Sequence, residues 1–209
     1  MLLAGAGVLG LAVGFGSQKL VQDLVTGVFI LLEDQISVDD VVKVADKAGL
    51  VEAVSIRSVR LRDFSGTVHT IPYSAIGTVS NLTKEFSCAV FEVGVAYRED
   101  VDEVMAVLKE IGAELQKDPE FGPLILEPLD VAGVDAFADS AVIIKARMKT
   151  VPTKQWTVGR QFNRRMKKRS DELGIEIPFP HQTIYFGELK GGGAPPAHVK
   201  LSAAPGTAN

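Results

Sequence analysis

The apolar residues of this chain are concentrated at its beginning. Residues 1–16 contain no charged or strongly polar side chain, whereas the rest of the chain alternates between apolar and charged positions. Sixteen helical residues span roughly 24 Å, short of the ~20 residues that cross a bilayer. Either a membrane helix begins upstream of this sequence, or the run is a core helix of a soluble protein. A signal peptide is disfavoured, because the first cation, Lys19, follows the apolar run.

Small residues lie on two sides of this predicted helix. At about 100° per residue, Leu11 and Phe15 share one narrow face with Ala4 and Val8. The small residues beside that face are Gly10 and Gly14 on one flank, and Ala12 and Gly16, with Gly5, on the other. The small-xxx-small spacing lets helix backbones approach closely in lipid. Two such flanks predict a ring of identical copies, since each copy can contact a neighbour on either side.

The face between the two flanks would point toward the axis of that ring. It carries Leu11 and Phe15 one turn apart, and an apolar constriction of this kind can gate a pore by dewetting. The alternative is a flexible apolar tail, because glycine disfavours a helix in water by roughly 1 kcal/mol per residue. The two small flanks favour the ring and predict Leu11 and Phe15 as the pore constriction.

The helical pattern becomes amphipathic after Gln18. The predicted apolar face consists of Leu20, Val21, Leu24, Gly27, Val28 and Leu31, and the polar face of Lys19, Gln22, Asp23 and Thr26. Such a helix is expected to lie along the membrane surface or to pack against the domain beneath it. A bend is therefore predicted near Ser17, Gln18 and Lys19. The acidic cluster Glu33, Asp34, Asp39 and Asp40 is expected to form a solvated loop.

Residues 34–85 have the pattern of a small antiparallel β domain. Short β-branched runs are separated by two predicted turns, Lys47-Ala48-Gly49 and Asp63-Phe64-Ser65-Gly66. The second predicts a hairpin with Gly66 at a positive φ angle.

Residues 86–188 predict a ferredoxin-like α/β domain. The predicted order is a strand over 88–96, a helix capped by Asp100, strands over 124–134 and 140–149, a helix over 153–173 closed by Gly174, and a last strand over 183–186. The order βαββαβ is typical of a ferredoxin-like layer. Residues 189–209 are small and polar, which predicts a disordered tail.

Composition excludes several kinds of chemistry. The net charge of -4 argues against a general nucleic-acid binder, because phosphate neutralisation requires a surplus of cations. Cys88 is the one cysteine, and the three histidines are far apart, so neither a metal site nor a cofactor is predicted. No nucleophile motif or phosphate-binding loop is present, and an enzyme is therefore not expected.

One basic concentration lies on the last predicted helix. It consists of Arg160, Arg164, Arg165, Lys167, Lys168 and Arg169. The simpler interpretation is a solvated helix face opposite Trp156, Phe162, Met166 and Leu173. In the functional interpretation, Arg160, Arg164, Arg165 and Lys168 face the interior of a vestibule and attract anions.

Three separated stretches resemble the MscS-like family of small-conductance mechanosensitive channels, in that family's order. The first runs from Gly10 to Gln18 and continues through Leu24, Gly27-Val28 and Asp39-Asp40, like the family's third transmembrane helix. The second includes Val51-Glu52, Ile56-Arg57, the hairpin from Arg60 to Thr67, Ile71 to Ser74 and Asn81-Leu82, like its β domain. The third consists of Gly94 to Tyr97 and Gly174 to Pro180, like its α/β domain.

This resemblance implies an α+β membrane protein fragment with one pore-lining transmembrane helix in residues 1–33. It implies a heptamer in a lipid bilayer whose pore opens under tension and releases ions and small osmolytes on osmotic downshock. Leu11 and Phe15 fall on the family's constriction positions, where two leucines are frequent. The family's Gln-Gly step reads Gln18-Lys19 here, so Gly16 or Ser17 are the alternative hinge positions.

The resemblance also places the full-length protein in the cell membrane as a multi-pass protein, with residues from about 34 onward in the cytoplasm. The family's first two transmembrane helices are expected upstream of this sequence. The competing hypothesis is a membrane-anchored module that binds a ligand or RNA without forming a pore. An anchor tolerates large residues anywhere, so Gly10, Ala12, Gly14 and Gly16 favour the channel.

Overall fold

The computed structural model describes residues 2–180, with side-chain environments from residue 10 onward. The long helix α1 (Leu2–Leu32) leads into five strands: β1 (Val41–Val44), β2 (Lys47–Val54), β3 (Ser58–Arg62), β4 (Val68–Pro72) and β5 (Val79–Asn81). A second group follows, with β6 (Ser87–Val95), α2 (Val101–Lys117), β7 (Asp130–Phe137), β8 (Val142–Thr150) and α3 (Gln155–Leu173). Short 3-10 helices occupy Tyr73–Ala75 and Gly122–Leu124. A helix followed by two antiparallel sheets agrees with the predicted fold class.

The first five strands form one antiparallel sheet with the order β4-β3-β2-β1-β5. Its buried face carries mainly β-branched and leucine side chains, which fit a half-buried pleated surface. The core residues are Ile30, Ile36, Val42, Val44, Val51, Val59, Leu61, Ile71 and Tyr73. Ile30 comes from α1, so the end of the helix is part of the core of the β domain.

One of the two predicted turns of the β domain is confirmed and the other is wrong. The β3–β4 hairpin turns at Asp63 to Gly66, and Gly66 has a φ of 89°. Lys47, Ala48 and Gly49 instead lie inside β2, because the chain reverses earlier, at Ala45 with a φ of 51°. Gly49 is in the strand for a packing reason: a Cβ atom there would lie 2.5 Å from the carbonyl oxygen of Arg62.

The second group forms a three-stranded antiparallel sheet with the order β6-β8-β7 and two helices packed on it. Asp100 caps α2 as predicted, accepting hydrogen bonds from the backbone N–H groups of Asp102 and Glu103. Gly174 ends α3 in the left-handed conformation, also as predicted. In the core between sheet and helices, the rings of Phe91 and Phe162 stack at 4.1 Å.

The predicted strand over 124–134 begins later than expected. Gly122–Leu124 is a 3-10 helix, and β7 starts only at Asp130. Pro123 and Pro128 lie in this stretch, and proline has no N–H group to donate to a strand ladder. The predicted last strand over 183–186 and the predicted tail over 189–209 lie outside the described residues, so the complete ferredoxin-like layer stays a prediction.

Within residues 2–180, no helix combines the length and the apolarity that a membrane crossing requires. The transmembrane helix of the predicted fold class stays a prediction.

Candidate pore-lining helix and its seat on the β domain

Residues 10–16 of α1 are exposed. Leu11 and Phe15, the predicted constriction residues, are 63% and 75% exposed. Ala12 is also exposed, and a Cβ atom added at Gly10, Gly14 or Gly16 would meet no other atom of the described chain within 4 Å. The predicted packing residues are therefore uncovered in the single chain, and their pairing with a neighbouring helix stays a prediction.

The predicted bend region lies in uninterrupted helix. Ser17, Gln18 and Lys19 all belong to α1, which has no break in its secondary structure. The hydroxyl of Ser17 donates a hydrogen bond of 3.2 Å to the carbonyl oxygen of Gly14. Hydrogen bonds from serine back to the preceding helical turn often bend helices. A bend stays a prediction, and it would occur within a continuous helix.

The second half of α1 is seated on the β domain through a buried carboxylate. Asp23 is 9% exposed, and its Oδ1 accepts a hydrogen bond of 2.5 Å from the backbone N–H of Ser74. Ser74 lies in the 3-10 helix Tyr73–Ala75, where N–H groups lack partners in the first turn. A buried polar group is costly unless it is hydrogen-bonded, and this contact satisfies both partners.

Gly27, one turn after Asp23, allows the helix to touch the backbone of the β domain. A Cβ atom at Gly27 would lie 2.0 Å from the carbonyl oxygen of Ile56 and 2.7 Å from the ring of Tyr73. The Tyr73 hydroxyl donates a 2.8 Å hydrogen bond to the carbonyl of Ser55, which fixes the ring under the helix. Any side chain larger than hydrogen would separate the two surfaces. We call Asp23, Gly27 and Ile30 the seat of α1.

The seat corrects the predicted faces of this half-helix. Asp23 was assigned to the solvated polar face, but it is buried because the Ser74 N–H satisfies it. Leu20, Val21, Val28 and Leu31, which were assigned to the apolar face, are exposed. The side away from the β domain carries an exposed apolar stripe of Val21, Val25, Val28, Phe29 and Leu32. The helix therefore presents apolar side chains away from the domain and a mixed surface toward it.

The acidic loop after α1 is partly structured. The Lys84 ammonium contacts both the carbonyl oxygen (2.7 Å) and the carboxylate (2.6 Å) of Asp34. The hydrogen bond from Lys84 is the main cause that lowers the pKa of Asp34 below its ordinary value. Asp40, half-buried, accepts a 2.9 Å bond from the N–H of Ser37 and a 2.7 Å bond from the amide of Asn81. These bonds tie the loop to the strand β5 and its following turn.

The basic residues of α3 fall into two groups. Arg165 forms an ion pair with Asp118, and Lys168 lies 3.7 Å from Glu172. Lys167 and Arg169 are also paired, with Asp171 and with three glutamates. Arg160 and Arg164 are exposed and form no ion pair within residues 2–180. Whether these cations line a vestibule stays a prediction. Phe162 and Met166 are buried as expected, but Trp156 and Leu173 are exposed.

Asp23, Gly27 and Ser74 are functional candidates that the sequence did not identify as a site. One signal was available, a lone carboxylate inside an apolar helical stretch. Cys88 is half-buried on β6. In the part of the chain that the structure covers, no three histidine, cysteine, aspartate or glutamate side chains are grouped as a metal site.

Two family models match the chain. The model "Mechanosensitive ion channel, beta-domain" matches residues 19–84, and "Mechanosensitive ion channel MscS, C-terminal" matches residues 89–177. The two ranges together cover more than half of the chain, and they follow the two sheets of the fold.

Two relatives with similar sequences are also mechanosensitive channels. The chain is 39% identical over 90% of its length to a small-conductance mechanosensitive channel of Caldanaerobacter subterraneus subsp. tengcongensis, and spans 66% of that protein. It is 40% identical over 85% of its length to the moderate conductance mechanosensitive channel YbiO of Escherichia coli, of which it spans 24%. The chain thus spans less than two thirds of the length of each of these relatives.

Among solved structures, the fold is similar to the crystal structure of Helicobacter pylori MscS, with a TM-score of 0.71 and 20% identity. The match covers 90% of this chain and 74% of the other. From the two family models and these relatives, the chain belongs to the MscS-like family of mechanosensitive ion channels.

Proposed function

We propose that this chain is the pore helix and cytoplasmic part of a tension-gated ion channel that releases ions and small osmolytes on osmotic downshock. One observation supports this proposal above the others: the second half of α1 is seated on a folded domain, whereas residues 10–16 of the same helix are exposed. An exposed apolar helix face without a partner is costly in water. Copies of the helix around a pore, within a bilayer, would cover it.

In this proposal the channel is a ring of identical chains, a heptamer by resemblance to the family. Gly10 and Gly14 on one flank, and Ala12 and Gly16 on the other, are the contacts between neighbouring helices. The open space at these glycines supports the assignment, because a neighbouring backbone can approach there. Leu11 and Phe15 then face the axis and close the pore by excluding water.

The bend region at Ser17, Gln18 and Lys19 separates this pore wall from the seat. The full-length protein would lie in the cell membrane as a multi-pass protein, with residues from about 34 onward in the cytoplasm. The α/β domain, completed as a ferredoxin-like layer, would surround a vestibule for permeating ions. Arg160, Arg164, Arg165 and Lys168 would raise the anion concentration there. The two cations without ion pairs, Arg160 and Arg164, would contribute most.

The experiment is patch-clamp recording of the full-length channel with Phe15→Ser. A hydroxyl at the constriction keeps water in the pore, so the variant is expected to open at lower tension or to leak. Val13→Ser is the matched control: Val13 is similarly exposed, at 69%, but lies on the opposite side of the helix. Wild-type gating of Phe15→Ser together with a leak from Val13→Ser would show that the pore face is assigned to the wrong side.

A further inference from the structure

A groove of about 680 Å³ lies between the β-domain sheet and the first turns of α3. Val41 pairs with Leu50, and Leu50 with Arg62, so these three side chains share the outer face of the sheet. The neighbouring Val42 and Leu61 point into the core that contains Ile30. The sheet therefore separates the groove from α1. With α1 in a bilayer, as proposed above, the groove would lie on the far side of the sheet, toward the aqueous phase.

The walls of the groove are mainly apolar and include two aromatic side chains. The wall residues that matter here are Val41, Leu50, Phe64, Leu82, Trp156 and Arg160. Phe64, at the tip of the β3–β4 hairpin, is fully exposed, and Trp156 is 44% exposed. Aromatic rings offer flat surfaces on which another ring stacks favourably. The volume is within the range of small-molecule sites, about 300–1,000 Å³.

Of the charged side chains that line the groove, one has no ion-pair or hydrogen-bond partner within residues 2–180. Arg62 is held by Glu52 and donates a 2.8 Å hydrogen bond to the carbonyl of Gly66. The carboxylate of Asp63 accepts hydrogen bonds from Ser65 and Thr67 and contacts His69 at 3.1 Å. The guanidinium of Arg160, in contrast, forms no ion pair or hydrogen bond within residues 2–180. This unpaired guanidinium can bind a carboxylate through two parallel hydrogen bonds.

We propose that this groove binds a small aromatic carboxylate from the aqueous phase. The ring of the ligand lies against Trp156 and Phe64, and its carboxylate contacts Arg160. Such a ligand is complementary to the apolar walls, and its charge is opposite to that of Arg160. A neutral or cationic ligand would leave Arg160 unpaired. Because the groove joins the β domain to α3, the bound ligand contacts both domains. This site is independent of pore formation.

Trp156 is the single tryptophan of the chain, so its fluorescence reports on the groove directly. The full chain in lipid nanodiscs is titrated with 4-phenylbutyrate, with empty nanodiscs as the blank. We expect a saturable change in Trp156 emission, with a dissociation constant of about 0.1–1 mM for a ligand of this size. The neutral amide, 4-phenylbutyramide, is expected to bind about tenfold more weakly because it loses the ion pair.

Two arginine variants test the role of charge. Arg160→Gln is expected to weaken 4-phenylbutyrate binding about tenfold and to leave the amide unaffected. Arg164→Gln is the matched control, because Arg164 is exposed one turn further along α3 and does not line the groove. Its affinity should equal that of the wild type.

Three results would overturn the proposal. The first is the absence of a saturable emission change. The second is equal affinity of the Arg160→Gln variant and the wild type for the carboxylate. The third is a Trp156 emission that depends on protein concentration but not on ligand, which would mean that a second copy of the chain covers the groove. Because no current is measured, failure of the channel proposal would not alter these outcomes.

Discussion

The two halves of α1 have opposite relations to the rest of the protein. In residues 10–16, which include Leu11 and Phe15, glycines face open space and large apolar side chains are exposed. In the half that contains Asp23 and Gly27, a glycine meets a backbone carbonyl and a carboxylate is buried. The same residue type thus has different roles in one helix. The sequence pattern alone does not distinguish two kinds of glycine. One kind packs against another part of the same chain, and the other has no contact within the chain and is available to a neighbouring molecule.

The largest expected effect distinguishes these two kinds of glycine. Gly27→Ala places a methyl group against the Ile56 carbonyl, so helix and β domain must separate. We expect a loss of about 1–3 kcal/mol in the free energy of unfolding of the β domain, as for other overpacked sites. Urea denaturation of the full chain in detergent, followed by circular dichroism, measures it.

Gly14→Ala is the matched control for this substitution. Its added methyl group meets no atom of the described chain, and alanine favours a helix more than glycine does. The variant should be as stable as the wild type or slightly more stable. Equal effects at positions 27 and 14 would contradict the seat.

The next effect concerns the buried carboxylate of the seat. Asp23→Ala leaves the N–H of Ser74 without its acceptor, and an unsatisfied buried donor costs about 1–2 kcal/mol. We expect faster hydrogen exchange at the Ser74 amide than in the wild type, measured by mass spectrometry of the segment that contains it. Gln22→Ala, which removes an exposed neighbour on the same helix, should leave that exchange rate unchanged.

The smallest effect concerns the acidic loop that follows the seated half of α1. The Lys84 hydrogen bond lowers the pKa of Asp34, so the ionised carboxylate stabilises the fold at pH values above its ordinary pKa. This stabilisation is lost as the pH falls through the lowered pKa. The thermal unfolding midpoint of Lys84→Met should therefore lie below that of the wild type at pH 7, and the difference should shrink as the pH falls through the lowered pKa of Asp34. A difference that stays constant as the pH falls would assign the effect to the bond from Lys84 to the Asp34 carbonyl and to packing of the lysine side chain.

Local signals in the sequence predicted much of the fold. Asp100 and Gly174 mark helix ends, and Gly66 marks a hairpin, because each acts on backbone groups within a few residues. Gly49 misled the prediction for the opposite reason. It looks like a turn residue, but it is required by the carbonyl of Arg62 on the neighbouring strand. A contact between strands is not visible in the residues around Gly49.

The same limit explains why the candidate site was only partly predicted. Leu11, Phe15 and the small residues around them follow from helical periodicity, and their exposure is compatible with that assignment. The seat depends on contacts of Asp23 and Gly27 with Ser74 and Ile56, which are distant in sequence. Periodicity assigns Asp23 to water because it is charged. Only the position of an unpaired N–H group in the folded domain makes its burial favourable.

The unbroken course of α1 has a mechanical consequence. Helical residues rise 1.5 Å each, so Leu11 stands roughly 18 Å along the axis from Asp23. The segment between them is a lever arm whose pivot is the seat. A tilt of about 10° about that pivot would carry Leu11 sideways by about 3 Å, close to the diameter of a water molecule. Small rotations of the β domain under the helix would thus be amplified at the far end of the arm.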